Sequence, residues 1–161
     1  MSKIRTAFVI TTSDRASAGE YQDLSGEIIS NGLTEFGYQV LNHLVIPDDF
    51  QEITSALTLG INQHVDLIVT TGGTGISPRD VTPDATAALI EKSMPGIPEA
   101  LRAHSREKVP TADLSRGVAG INGKSLIINL PGSPNAARDG LLIIERLAPH
   151  IHDQLSGHDH S

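Results

Sequence analysis

Residues 65–75 read Val-Asp-Leu-Ile-Val-Thr-Thr-Gly-Gly-Thr-Gly, an apolar run that ends in a glycine-rich loop. A short, β-branched apolar run that is bounded by glycines predicts a buried strand over residues 65–71. A strand that is buried on both faces is typical of a parallel sheet covered by helices. The loop that follows, residues 72–81, therefore lies at the carboxyl end of a strand, where open α/β proteins bind their ligands.

The chain before this strand alternates between strand and helix patterns. Residues 4–10 and 38–46 predict strands, and apolar residues at helical spacing predict helices over 24–36 and 50–61. Strand, helix, strand, helix, strand in this order predicts βαβ units and a mostly parallel sheet that is covered on both faces.

The chain after the loop begins with a helix signal. Thr82-Pro83-Asp84 supplies an N-cap, a first-turn proline and an acidic residue against the helix dipole. The helix that it opens is predicted to end near Met94-Pro95-Gly96, and residues 98–105 predict another.

A hairpin and a long helix complete the predicted order. Asn122-Gly123, between apolar runs at 118–121 and Ser125–Leu130, is a strong hairpin signal. Ser133-Pro134 opens a last helix whose apolar face reaches Ala148. The prediction is an α/β three-layer sandwich, a mostly parallel sheet with one antiparallel hairpin, as a single domain over residues 1–155 with a flexible tail at 156–161.

Composition excludes several classes of protein. The chain has 161 residues and a formal net charge of −7, which argues against a general nucleic-acid binder. It has no cysteine, so disulfides, thiolate metal sites and thiol nucleophiles are excluded. No stretch approaches the roughly 20 apolar residues of a membrane-spanning helix. We expect a soluble, cytoplasmic protein with no nucleic-acid or membrane partner.

Two loops that follow apolar runs are candidate phosphate sites, residues 72–75 and 131–134. Glycines let backbone N–H groups approach an anion closely, and a following helix adds a positive dipole. Neither familiar nucleotide motif is present. Pro78 breaks the dinucleotide pattern G-x-G-x-x-G, and Val118 stands where a P-loop before Gly123-Lys124-Ser125 needs glycine.

Three aspartates, Asp14, Asp48 and Asp80, lie at the same predicted edge of the sheet. Carboxylates close to phosphates could hold Mg²⁺, which prefers oxygen ligands. They could equally be structural, with Asp14 in a turn, Asp48 as a helix cap and Asp80 as the ion-pair partner of Arg79. The C-terminal His150, His152, His158 and His160 lack a rigid element to fix their geometry, so they do not predict a metal site.

Residues 71–86, TGGTGISPRDVTPDAT, resemble the signature of the molybdopterin-binding family, which includes bacterial Mog and MoaB proteins and gephyrin-type G domains. Further segments match in the family's order, and the resemblance covers about residues 4–150. These segments are residues 13–17, 21–23, 46–49, 114–116 and 128–134.

The resemblance implies a reaction. Active members of the family transfer AMP from ATP, with Mg²⁺, to the terminal phosphate of molybdopterin, and they release pyrophosphate. It also implies a homotrimer that passes adenylyl-molybdopterin to a molybdenum-inserting enzyme. The alternative within the family is a carrier that binds molybdopterin without turnover, and a scaffold is a third.

The resemblance also assigns residues. Asp48 and Asp80 correspond to the essential aspartates and would be both the catalytic and the metal-binding residues. The cofactor-binding positions fall on Ser13, Asp14, Gly72, Gly73, Thr74, Gly75, Ser115, Asn129, Pro131, Gly132 and Ser133. No strong general base is needed, because the phosphate of the acceptor is already an anionic nucleophile.

Overall fold

The computed structural model describes residues 3–157. The strands are β1 Thr6–Thr12, β2 Gln39–Ile46, β3 Leu67–Thr71, β4 Lys92–Ser93, β5 Ala119–Asn122 and β6 Ser125–Leu130. The helices are α1 Asp14–Ser17, α2 Leu24–Glu35, α3 Phe50–Asn62, α4 Thr82–Ala87, α5 Gly96–Arg106 and α6 Pro134–Leu155, with a 3-10 turn at Pro110–Leu114.

The six strands form one sheet in the order β2-β1-β3-β6-β5-β4. β1 pairs in parallel with β2 and β3, and β3 pairs in parallel with β6. β5 runs antiparallel to β6 and to β4. The predicted mostly parallel sheet with an antiparallel hairpin is confirmed, and the carboxyl ends of β2, β1, β3 and β6 meet at one edge.

Helices cover both faces because successive residues of a strand point to opposite sides. On β1, Ala7 and Val9 pack with α2, α5 and α6, whereas Phe8 and Ile10 pack with α3 and α4. The central strand β3 is buried along its whole length, as a parallel strand between two helical layers must be. The three-layer sandwich is therefore confirmed.

The helix that was predicted to run from Thr82 to Met94 is shorter. It ends at Ala87, and Lys92–Ser93 joins the sheet instead. The Glu91 and Met94 amides donate to carbonyls of β5 at 2.9 and 2.8 Å. Sheet pairing with a distant segment therefore overrides the local helix signal. Thr82 is not the N-cap either, because Val81 holds that position.

Other differences lie at the ends of elements. The one-turn helix α1 and the 3-10 turn had no predicted counterpart, and α6 continues past Ala148 through Pro149 to Leu155. The predicted tail begins at Ser156, the C-cap of α6. Residues 158–161 of that tail, with His158 and His160, lie outside the described residues, so its flexibility stays a prediction.

Lowering the pH should destabilise the fold through His152, which is 2% exposed and lies 2.7 Å from the Tyr38 hydroxyl. Burial lowers the pKa of His152 to about 4. The unfolded chain binds a proton at this residue below about pH 6.5 and the folded chain does not, so stability falls as the pH drops from 6.5 towards 4. Between pH 7 and pH 5 we expect a loss of about 2 kcal/mol from this group.

Urea unfolding at the two pH values measures that loss. His152→Gln should remove about 2 kcal/mol of the difference between pH 7 and pH 5. An equal pH dependence in wild type and His152→Gln would contradict this account.

Candidate functional site

Two clefts open at the carboxyl edge of the sheet, one on each side of residues 72–75, which we call the glycine loop. The polar cleft, of about 430 Å³, is lined by Ser13, Gln22, Asp23, Asp48 and Asp80 together with the glycine loop. The apolar cleft, of about 370 Å³, is lined by Leu101, Val109, Leu114, Pro131 and Ala136. Thr74 and Gly75 line both clefts, so the glycine loop is their common wall.

The glycine loop needs glycine for its backbone and for its packing. Gly72 and Gly73 have φ values of 101° and 67°, in the left-handed region. A Cβ on Gly72 would lie 2.3 Å from the Thr12 carbonyl oxygen. Gly132, which follows β6, lies against Gly72. A Cβ added to Gly132 would lie 3.2 Å from the Gly72 Cα. The two glycine-containing loops identified in the sequence are therefore in contact.

The backbone amides of the glycine loop are available to a ligand. Within residues 3–157 the amides of Gly73, Thr74 and Gly75 donate no hydrogen bond, whereas the Gly72 amide donates to the Leu130 carbonyl at 3.0 Å. Consecutive unpaired N–H groups in a loop of this kind form a site for an anion.

Arg116 holds the glycine loop from outside. Its Nε donates to the Gly75 carbonyl at 2.9 Å, its Nη2 donates to the Asp80 carbonyl at 2.8 Å, and its amide donates to the Thr74 carbonyl at 2.8 Å. An ion pair with Asp84 at 3.2 Å fixes the guanidinium. Arg116 thus occupies the loop carbonyls while the loop amides stay unpaired. Sequence reasoning did not assign this residue a role, although it lies in a segment that matches the family.

Asp48 lies at the end of β2 with one free oxygen. Its amide donates to Asp14 Oδ1 and its own Oδ2 accepts from the Asp14 amide, both at 3.0 Å. Its Oδ1 is buried, and within residues 3–157 it accepts no hydrogen bond. Burial raises the pKa of Asp48, and the charges of Asp14 and Asp80 raise it further. A carboxylate in this position is unfavourable without a positive partner.

Asp80 lines the polar cleft together with Asp48, and its charge acts on Asp48. Its Oδ2 accepts from the Ser77 amide at 3.1 Å and lies against Gly75, where a Cβ would come within 2.7 Å of it. The two predicted catalytic aspartates are therefore brought to one cleft, at the foot of the glycine loop.

Asp14 makes an ion pair and hydrogen bonds within the fold. Arg79 forms a bidentate ion pair with Asp14, in which Nη2 donates to Oδ1 at 2.8 Å and Nε donates to Oδ2 at 3.0 Å. These bonds lower the pKa of Asp14. With Asp48 also bonded to it, Asp14 connects the ends of β1 and β2 and does not line the polar cleft. The ion pair with Arg79, which was the structural alternative stated for Asp80, is therefore formed by Asp14.

The side chain of Asn129 is also hydrogen-bonded within the fold. It is 2% exposed, and its Oδ1 accepts from the Val118 amide at 3.1 Å. Its Nδ2 donates to Thr70 Oγ1 at 2.9 Å and to Thr86 Oγ1 at 3.0 Å. These bonds connect β6, β3 and α4 beneath the glycine loop, so Asn129 is placed to position that loop.

The remaining predicted site residues divide between the clefts. Ser13 and Gly132 line the polar cleft, and Ser115, Pro131 and Ser133 line the apolar cleft. The Ser13 hydroxyl accepts a hydrogen bond from the Ala16 amide and lies 2.7 Å from the Tyr21 hydroxyl. Ser13 therefore already acts as the N-cap of α1. Ser133 is the N-cap of α6 in the same way.

Sequence reasoning missed a polar network under the polar cleft. Asp23 Oδ2 accepts from the Thr11 hydroxyl at 2.6 Å and lies 2.8 Å from His43 Nε2. Burial acts to raise the pKa of Asp23, but the bonds from His43, Thr11 and Gly26 outweigh burial and lower it. In the sequence, Asp23 was identified only as part of the family-matching segment 21–23, and the structure shows that it is the N-cap of α2.

The described residues lack two kinds of feature, a ready-made metal cluster and a membrane-spanning helix. Residues 3–157 contain no cluster of three or more His, Asp or Glu side chains arranged to hold a metal ion. No helix in the described part of the chain is both long and apolar enough to cross a membrane.

Comparison with known proteins gives a consistent result. Residues 8–150 match the family model described as "Probable molybdopterin binding domain". A molybdopterin adenylyltransferase of Helicobacter pylori strain J99 is 43% identical, over 92% of this chain and 86% of that protein.

Solved structures agree. The molybdopterin biosynthesis Mog protein of Mycobacterium ulcerans is 44% identical with a TM-score of 0.90, covering 94% of this chain and 99% of that chain. The molybdopterin biosynthesis enzyme MoaB of Thermus thermophilus is 39% identical with a TM-score of 0.88, covering 95% of this chain and 97% of that chain.

Proposed function

Because the chain belongs to the molybdopterin-binding domain family, we propose that it acts in molybdenum cofactor biosynthesis as a molybdopterin adenylyltransferase. The reaction would transfer AMP from ATP to the terminal phosphate of molybdopterin and release pyrophosphate. The observation that carries this proposal is the common wall of the two clefts, because Thr74 and Gly75 line both of them and their amides are unpaired within residues 3–157.

The chemistry of each cleft matches one substrate. The apolar cleft has walls of Leu101, Val109 and Leu114, which suit a flat heteroaromatic ring. The polar cleft holds Asp48 and Asp80, which suit a nucleotide bound with a divalent cation. A pterin in the first cleft and ATP in the second would bring their phosphates together over the glycine loop.

The glycine loop would bind the reacting phosphates. Nucleotidyl transfer requires the attacking oxygen, the α-phosphorus and the leaving pyrophosphate in line, with their negative charge neutralised. The amides of Gly73, Thr74 and Gly75 can donate to these oxygens without breaking any bond within the described chain. Arg116 keeps that arrangement fixed before the substrates arrive.

The aspartates fit a Mg²⁺ ion that arrives with the nucleotide. Asp48 Oδ1 is a buried carboxylate oxygen without a hydrogen-bond partner among residues 3–157, and a cation would supply that partner. Since no complete protein ligand set is present in that part of the chain, the remaining ligands would be phosphate oxygens and water, as is common for this ion. When bound, Mg²⁺ supplies charge neutralisation to the phosphates.

The site does not need a general base. The acceptor phosphate already carries negative charge at neutral pH, so no proton has to be removed before it attacks. Accordingly, we assign Asp48 and Asp80 to binding the nucleotide and its metal, and Ser115, Pro131 and Ser133 to the pterin side. Asn129 and Asp14 would act by positioning the loop and Asp48.

Asp80→Asn tests the proposal directly. With ATP, Mg²⁺ and molybdopterin, wild-type protein should release pyrophosphate only when molybdopterin is present. The variant should release it at least about 100-fold more slowly, because one metal-binding charge is lost. Undiminished release by the variant would remove Asp80 from the mechanism. Molybdopterin binding without pyrophosphate release by the wild type would instead identify a carrier.

The wider setting follows the same proposal. Adenylyl-molybdopterin would pass to a molybdenum-inserting enzyme, and the protein would work in the cytoplasm as a homotrimer. These statements rest on the family resemblance and stay predictions.

A further inference from the structure

The apolar cleft contains one buried carboxylate. Asp139, on α6, lines this cleft and is 6% exposed. Its Oδ2 accepts from the Ser105 hydroxyl at 2.8 Å. Near its Oδ1 lie Lys108 Nζ at 3.5 Å and His104 Nε2 at 3.4 Å. The Asp139 carboxylate therefore lies in a cleft whose other walls are mostly apolar.

The partners of Asp139 within residues 3–157 do not account for its burial. The Lys108 side chain is 68% exposed, and its contact with Asp139 is long, so this pair contributes little. His104 Nε2 makes no aligned hydrogen bond, although it lies close. Since an ionised carboxylate can accept about four hydrogen bonds, both Asp139 oxygens keep capacity for a ligand.

We propose that Asp139 recognises the pterin ring itself, by accepting hydrogen bonds from the N3–H and the 2-amino group of its 2-amino-4-oxo edge. These two donors are adjacent and coplanar, so they match the two oxygens of one carboxylate. The inference rests on the proposed function, and it names the residue that sets substrate specificity. Ser105 would act as a positioning residue that holds the carboxylate towards the cleft.

This geometry predicts discrimination against rings that lack either donor. A lumazine carries a 2-oxo group where a pterin carries the 2-amino group, so an oxygen would face the Asp139 carboxylate. Loss of a hydrogen bond to a buried charge, with repulsion in its place, should weaken binding about 10- to 100-fold.

Fluorescence titration with 6-hydroxymethylpterin and 6-hydroxymethyllumazine tests the proposal. Wild-type protein should prefer the pterin by about 10-fold or more. Asp139→Asn should bring the two affinities to parity or reverse them, because the asparagine amide can donate to the 2-oxo group. Glu145→Gln removes the same charge from an exposed position of the same helix, and should keep the wild-type preference.

A second measurement needs no variant. The 3-methyl derivative of the same pterin lacks the N3–H, and wild-type protein should bind it at least about 10-fold more weakly. This keeps the proposal testable even if Asp139→Asn does not fold, which the thermal unfolding curve of the variant will reveal.

The outcomes separate this inference from the function on which it rests. A pterin preference that persists in Asp139→Asn, or wild-type protein that binds pterin, lumazine and 3-methylpterin equally, would overturn the role of Asp139. If wild-type protein still released pyrophosphate with molybdopterin, the adenylyltransferase proposal would survive that result. Failure of the wild type both to bind the pterin and to release pyrophosphate would overturn both proposals.

Discussion

Replacing Asp48 by asparagine should lower molybdopterin-dependent pyrophosphate release by about 100- to 1000-fold, while pterin affinity stays within about twofold. The carboxylate lies in the polar cleft, whereas the pterin is assigned to the apolar cleft on the other side of the glycine loop. Asparagine has nearly the same shape and can still accept from the Asp14 amide. The variant therefore removes the charge at Oδ1 and leaves the connection between β1 and β2 in place.

Asp49→Asn is the matched control for that variant. Asp49 is the next residue, and its Oδ2 accepts from the Glu52 amide at 3.0 Å as the N-cap of α3. Asparagine is an equally good N-cap, so this change should leave both turnover and stability nearly unaffected. Equal losses in the two variants would point to a general charge effect, and intact turnover in Asp48→Asn would remove Asp48 from nucleotide binding.

The pterin affinity of Asp48→Asn tests whether the pterin and the nucleotide bind in separate clefts. If Asp48→Asn lost pterin binding together with turnover while its unfolding free energy was unchanged, the two substrates could not occupy separate clefts as assigned. Titration with 6-hydroxymethylpterin in the absence of ATP measures this property without the nucleotide.

The edge of the sheet that carries the site could be predicted from sequence. Asp48 and the glycine loop each follow an apolar run, and the carboxyl ends of parallel strands meet at one edge. The burial of Asp48 Oδ1 could not be predicted in this way. The surroundings of Asp48 include Asp14 from α1 and both Gly73 and Asp80 from the loop after β3, so they come from two other segments of the chain.

Local signals were least informative where a distant segment competes for the same residues. Thr82-Pro83-Asp84 marks a helix start correctly to within one residue, but the end of α4 is set by pairing of Lys92–Ser93 with β5. Gly120 makes that pairing possible, since a Cβ there would lie 2.5 Å from the Lys92 carbonyl. Nothing between residues 82 and 94 carries this information.

Asp139 shows the same limit for the site. In sequence it follows Arg138 on an amphipathic helix, where an acidic residue is normally a solvated one. Its burial arises from α5, which places Ser105 and His104 over it. A recognition residue of this kind can be found only when the packing of the two helices is known.

Alanine at Gly73 should impair both the stability of the fold and adenylyl transfer. With φ at 67°, alanine there is strained by about 1–2 kcal/mol. The new Cβ would also lie 2.3 Å from Thr82 Oγ1 and 2.9 Å from Thr12 Oγ1. These two hydroxyls are buried and bonded to each other at 2.9 Å, so neither can move freely.

We therefore expect Gly73→Ala to lower the free energy of unfolding by about 2–4 kcal/mol and adenylyl transfer by at least about 100-fold. The activity falls because the loop shifts away from Asp48, whose Oδ1 would lie 3.1 Å from the new methyl group. The alanine keeps its N–H, so loss of a donor is not the cause.

Gly123→Ala separates strain from packing. Gly123 also has a left-handed φ, 60°, but a Cβ there would meet nothing within 4 Å. Its alanine variant should lose only about 1 kcal/mol of stability and keep full transfer activity, as urea unfolding and pyrophosphate release would record. If Gly73→Ala lost no more stability than Gly123→Ala, the Thr12–Thr82 contact would not constrain the loop. If Gly73→Ala lost the expected 2–4 kcal/mol of stability but kept its activity, the glycine loop could not be the phosphate site, because its amides would have been displaced without consequence.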